Sequence, residues 1–162
     1  MVEIRENEKP SVSDVEKIEI EIDTLPLDAA GIVEPRTLHE GRFSIYFLAG
    51  LALAEGKVTI ENLIQEKILS PELVDLRKKV KATGHSGVGL SSHVKVYLKD
   101  GKIIEEYTSA PKGSVEKPLT PGELQEKFRT TCGLPPERAK AVIGKVMGLE
   151  KVGCMDEILS LI

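Results

Sequence analysis

The chain has 162 residues, enough for one domain or a domain with an appendage. Its formal charge is -4, with acidic and basic residues interspersed, which argues against a nucleic-acid footprint. Aromatics are 4% and Trp is absent, so aliphatic side chains must supply the core.

The longest apolar run, residues 45–54, falls well short of the roughly 18 residues a membrane span needs. The N-terminus is acidic and polar, unlike a signal peptide. Cys132 and Cys154 lie far apart without a CxxC pattern, and read as free thiols in a reducing cytoplasm. Three scattered histidines give no metal-ligand spacing, so no metal is expected.

Residues 1–12 mix charge, Pro10 and Ser, and read as a loose tail. In residues 15–23, Ile18, Ile20 and Ile22 alternate with Glu19, Glu21 and Asp23, the pattern of a half-buried strand. Pro26, Gly31 and Pro35 mark a loop over 25–36. There follows a helix that is apolar all round, with His39, Arg42 and Ser44 as a polar collar and Gly56 as its C-cap. Thr59 is expected to cap a short helix over 60–65. Ser70-Pro71 opens another over 72–80, with Leu73, Leu76 and Val80 on one side.

Asp100-Gly101 between alternating runs at 94–99 and 102–108 predicts a hairpin with a type I′ turn. Pairing about that turn places Val94, Val96, Leu98, Ile103 and Tyr107 on one face, together with Glu105. Glu105 then either reaches water at a sheet edge or lines a cleft. Thr120-Pro121-Gly122-Glu123 is a capping box opening a helix through Thr131, with Leu124 and Phe128 inward. Residues 137–149 read as a helix burying Ala139, Val142, Ile143, Val146 and Leu149, and 155–161 as a last short one. The fold class is α+β: a small, mostly antiparallel sheet of the early strand and the hairpin, covered by helices, with a helical C-terminal tail.

Gly84-His85-Ser86-Gly87-Val88-Gly89 lacks the Gly-Lys-Ser/Thr ending of a phosphate loop, and a strand follows it rather than a helix. It reads as a surface loop. No GxSxG and no paired nucleophile and base are present. His39, Arg42 and Ser44 are the better candidates. A helix N-terminus with an Arg and a Ser suits a carboxylate, which guanidinium grips in a bidentate fork. Equally, Ser44 or Glu40 serves as a cap and Arg42 as a surface cation. Lys112-Gly113, in an irregular loop, either reaches an anion or is a solvated lysine.

The order of these elements resembles the C-terminal domain of the MmgE/PrpD family, from about Asp14 to the end of the chain. The motifs that carry the resemblance are Arg42-Phe43-Ser44 with its apolar helix, the strand–Asp-Gly–strand, and Pro111-Lys112-Gly113 ahead of Pro118-Leu119-Thr120. The family includes 2-methylcitrate dehydratase, cis-aconitate decarboxylase and iminodisuccinate epimerase. The resemblance implies a small α+β domain closing over a large helical one, with small polycarboxylates bound between. It also implies α-proton abstraction followed by loss of water, loss of CO2 or return of the proton, with no cofactor in most members.

On that resemblance Arg42, Ser44, Lys112 and Gly113 are substrate-facing, with His39 and Tyr46 beside them. Relatives commonly read Phe-Ser-Ile-Pro-Tyr where this chain reads Phe43-Ser44-Ile45-Tyr46-Phe47. The tyrosine of the family motif is thus missing at 47, and Tyr46 points about 100° away on a helix. The expected organisation is a flexible tail at 1–13, a lid-like domain at 14–120, and a helical tail at 121–162 packing on a partner or another subunit. The catalytic residues are expected on a separate helical subunit, and the isolated chain is expected to self-associate. The competing readings are a non-catalytic carboxylate-binding or regulatory module, and a stand-alone enzyme drawing on His39, His85, His93 or Glu105.

Overall fold

A computed structural model describes residues Met1–Ile162. The chain divides into two compact units, Met1–Pro111 and Lys112–Ile162. The fold is α+β, with four strands and nine helices.

The first unit is built on strand β1, Val15–Asp23. It pairs in parallel with β2, Val80–His85, and antiparallel with β3, Ser92–Leu98. β3 pairs antiparallel with β4, Ile103–Thr108, giving the order β2-β1-β3-β4. The register aligns Val80, Ile18, Val96 and Ile104 as one apolar row across all four strands. The neighbouring row on the opposite face is Lys81, Glu19, Lys95 and Glu105, alternating in sign. One face is therefore core and the other solvated.

Helix α4, Ile45–Glu55, buries Phe47, Ala49, Leu51, Ala52 and Leu53 and ends at Gly56, whose φ of 72° is left-handed. Helix α6, Pro71–Lys78, packs against it. A Cβ at Gly50 would stand 3.2 Å from that of Leu76, so glycine permits the close approach. Contacts on every side of α4 account for its all-round apolar sequence.

Several expectations are corrected. The anticipated N-terminal tail contains a helix, α1, Val2–Glu8, because Ile4 inserts into the core and Lys102 pairs with Glu8. The loop at 25–36 begins as helix α2, Thr24–Ala29, capped by Asp23, whose Oδ1 accepts from Leu25 N. Pro26 is tolerated there because first-turn N–H groups are unpaired anyway. The polar collar forms a separate helix, α3, Leu38–Arg42. No helix covers 60–65, since buried Asn62 accepts from Thr59 N and donates to Glu55 and the Lys57 carbonyl; helix α5 is Gln65–Ile68. The helix expected over 72–80 ends at Lys78, and Val80 instead opens β2, because it pairs with Ile18 far back along the chain.

The hairpin exists, with a different turn. Gly101 N donates to the Leu98 carbonyl, Leu98 N to the Lys102 carbonyl, and only Gly101, at φ 88°, has positive φ. This is a three-residue loop ending in a left-handed glycine rather than a two-residue type I′ turn. The extra residue shifts β4 by one, so Ile104 is buried while Ile103 and Tyr107 face solvent. Glu105 joins the charged outer face, opposite Lys95.

The second unit holds α7, Pro121–Thr131, opened by the expected capping box, then α8, Pro136–Met147, and α9, Asp156–Leu159. Ala139, Val142 and Ile158 are buried. Leu124, Val146 and Leu149, expected inward, are exposed, and Phe128 and Ile143 are half-buried. Leu124, Phe128, Ile143, Val146 and Met147 line an open apolar groove of about 370 Å3 between α7 and α8. No helix is long and apolar enough to cross a membrane.

Candidate functional site

The polar corner of the first unit is the single turn α3 and its junction with α4. A five-residue helix cannot sustain itself by its own hydrogen bonds. Thr37 and Glu40 form a capping box: Thr37 Oγ1 accepts from Glu40 N, and Glu40 accepts from Thr37 N and Arg36 N. The Arg36 amide, then that of Thr37, holds the Glu40 carboxyl below its ordinary pKa. Gly41 packs on Ile68, whose Cδ1 would stand 2.3 Å from an added Cβ.

At the break between the helices Ser44 is wholly buried, and its Oγ accepts from Phe47 N at 3.1 Å. Ile45 N donates to Ala30 O and Ile32 N to Phe43 O, so the chain after α2 zips along the α3–α4 corner. Arg42 is exposed and has no hydrogen-bond or ion-pair partner. The ring of His39 lies 5.3 Å from that of Phe43. Tyr46 lines a shallow hollow of about 370 Å3 with Leu27, Asp28, Gly31 and Ile32. Phe47 is fully buried, so a phenol at 47 would meet core rather than solvent.

Thus His39, Arg42, Ser44 and Tyr46 share one corner, with Ser44 facing inward. Lys112 and Gly113 belong to the second unit. Gly113, at φ 93°, turns the chain and donates to the Lys117 carbonyl at 2.7 Å. The Lys112 ammonium pairs with Glu123. That pairing, with the amide and hydroxyl of Thr120, depresses the Glu123 carboxyl from 4.5 to about 2.

The remaining candidates lie elsewhere. His93 sits on the outer face, Nε2 3.3 Å from Glu105 and Nδ1 3.8 Å from Glu21. His85 is exposed at the end of β2. The Gly84–Gly89 loop receives an internal carboxylate: Asp23 Oδ2 accepts from Gly87 N and Val88 N. No group of three or more His, Cys, Asp or Glu side chains is placed to hold a metal. Three side chains brace the corner: Glu40, the cap that the sequence offers, Gln65, which bonds Arg36 O and Leu38 N, and Arg77, which donates to Pro35 O and Ile68 O. The Thr37-x-x-Glu40 spacing signals the first, and nothing local signals the other two.

A family model, the MmgE/PrpD C-terminal domain, matches residues 1–149. The chain belongs to the MmgE/PrpD family. Two relatives are cis-aconitate decarboxylases. That of Mus musculus is 27% identical over 135 residues, 77% of this chain and 28% of the relative. That of Homo sapiens is 28% identical over 124 residues, 72% of this chain and 26% of the relative. The chain therefore spans about a quarter of the length of the curated relatives it matches. The MmgE/PrpD match covers the first unit, the second unit as far as residue 149, and every candidate residue named above.

Proposed function

We propose that this chain is the carboxylate-facing smaller domain of an MmgE/PrpD-type lyase or isomerase acting on small polycarboxylates. In this reading Arg42 grips a substrate carboxylate and His39 lines the same corner. A base abstracts the proton α to a carboxylate, and the electron pair passes onto that carboxylate as an enolate. Cations at the enolate oxygens lower the barrier. Expulsion of a β-hydroxyl as water, return of the proton to carbon with loss of CO2 and protonation of the carbanion it leaves, or return of the proton to the opposite face completes the turnover.

The observation that carries the reading is Arg42, a guanidinium without a counter-charge on a braced turn. Lys112, in the second unit, is separately proposed to meet a ligand carboxylate at the place that Glu123 fills. The base is proposed to come from a separate helical subunit. Within the corner, the Glu40 carboxylate is already committed to two backbone amides. That commitment also favours the second reading, a carboxylate-binding module without turnover.

The test is to purify the tagged protein gently from its native host, identify what accompanies it, and assay the material on cis-aconitate, citrate and methylcitrate. A stoichiometric helical partner with activity is expected, and Arg42→Ala should lower kcat/KM by about a hundredfold or more. Recovery of this chain alone, binding a polycarboxylate without turnover, would leave the module reading standing.

A further inference from the structure

The geometry points to Arg77 as a positioning residue for the turn that carries His39 and Arg42. Arg77 lies in the last turn of α6 and is 9% exposed. No carboxylate pairs with it. Its Nη1 donates to the carbonyls of Pro35 and Ile68, each at 3.1 Å, and its buried Nε has no partner. Burying a guanidinium without a counter-charge is costlier than burying an aliphatic chain of like size. What the guanidinium adds is direction, a fork aimed at fixed carbonyls.

Both carbonyls belong to the support of α3. Pro35 stands at its entry. Ile68 ends α5, and the Ile68 side chain lies beneath Gly41. The intervening residues are clasped by Gln65, whose Nε2 donates to Arg36 O at 3.0 Å and whose Oε1 accepts from Leu38 N at 2.7 Å. With Glu40 accepting from Arg36 N and Thr37 N, each residue from 35 to 38 is tied by a side chain. One nitrogen of Arg77 therefore joins the start of the turn to the platform under it. Its effect on ligand binding rests on the reading that Arg42 meets a carboxylate; its effect on the turn does not.

Amide hydrogen exchange on the full chain tests the inference, using R77M, which retains volume, and R77A, which leaves room for a free guanidinium ion. Leu38, Gly41 and Phe43 should exchange about tenfold faster or more in both variants, while Ile18, Ile20 and Val96 in the sheet keep their protection. Millimolar guanidinium should restore the wild-type rates in R77A and not in R77M, and sodium chloride at equal ionic strength should restore neither. Unchanged exchange at 38–43 in R77M would overturn the inference. So would parallel loss in the sheet, or failure of guanidinium to rescue a folded R77A; if R77A does not fold, R77M decides. Citrate titration supplies the functional arm, with R77M expected to bind more weakly than wild type. Absence of citrate binding in the wild type would count against the Arg42 reading, and the exchange data would still decide Arg77.

Discussion

Arg42 and Ser44 stand two residues apart and have opposite fates: one guanidinium is free in solvent, and one hydroxyl is sealed in the core as a cap. Ser44→Ala should therefore lower stability by about 1 kcal/mol, measured by urea unfolding, because it orphans the Phe47 amide. Glu123 makes a pH prediction in the second unit. Its folded pKa, about 2, lies below its ordinary 4.5, so the unfolded state binds more protons between those values. The pair with Lys112 then contributes fully above about pH 4.5, and its contribution is lost as pH falls through about 2. A carboxyl NMR titration should find Glu123 with the low midpoint, and Lys112→Met should move it upward. Salt should weaken the pair, since both partners are solvent-exposed.

Among the elements, the β3–β4 hairpin shows how one residue of turn length reverses an entire face. A two-residue turn would bury Ile103; the three-residue turn buries Ile104. Ile104→Ala should cost about 2–4 kcal/mol in chemical unfolding, and Ile103→Ala about 0.5 kcal/mol or less. Equal costs, or the reverse order, would contradict the register. Gly101→Ala should cost about 1–2 kcal/mol, because a side chain is forced into the left-handed region. The strand β2 adds no such local signature: Val80 and Ala82 face inward, but Lys81, Ala82 and Gly84 carry weak strand preferences.

At the scale of the molecule, α4 is the central element of the first unit, and Leu51→Ala should destabilise that unit by about 2–5 kcal/mol in calorimetry or urea unfolding. In the second unit the apolar groove between α7 and α8 is the surface that the proposed helical subunit would cover. Val146→Glu should abolish co-purification of that subunit while leaving the unfolding of the isolated chain nearly unchanged, since Val146 is 51% exposed. The sequence by itself determined the elements whose causes are local. These are the alternation of Ile18, Ile20 and Ile22 in β1, the Gly56 stop of α4, the Thr120–Glu123 capping box and the existence of a hairpin at Asp100-Gly101. It also carried the family through the ordered motifs about Arg42-Phe43-Ser44 and Lys112-Gly113. Only the tertiary structure decided that α1 would form around Ile4, that β2 would pair with β1, that Ser44 would be sealed, and that Gln65 and Arg77 would brace the turn at His39 and Arg42. Each of those outcomes depends on a partner far along the chain. A cap or turn is stabilised by neighbours within a few residues, whereas a buried guanidinium or an edge strand is stabilised only once the chain has closed upon itself.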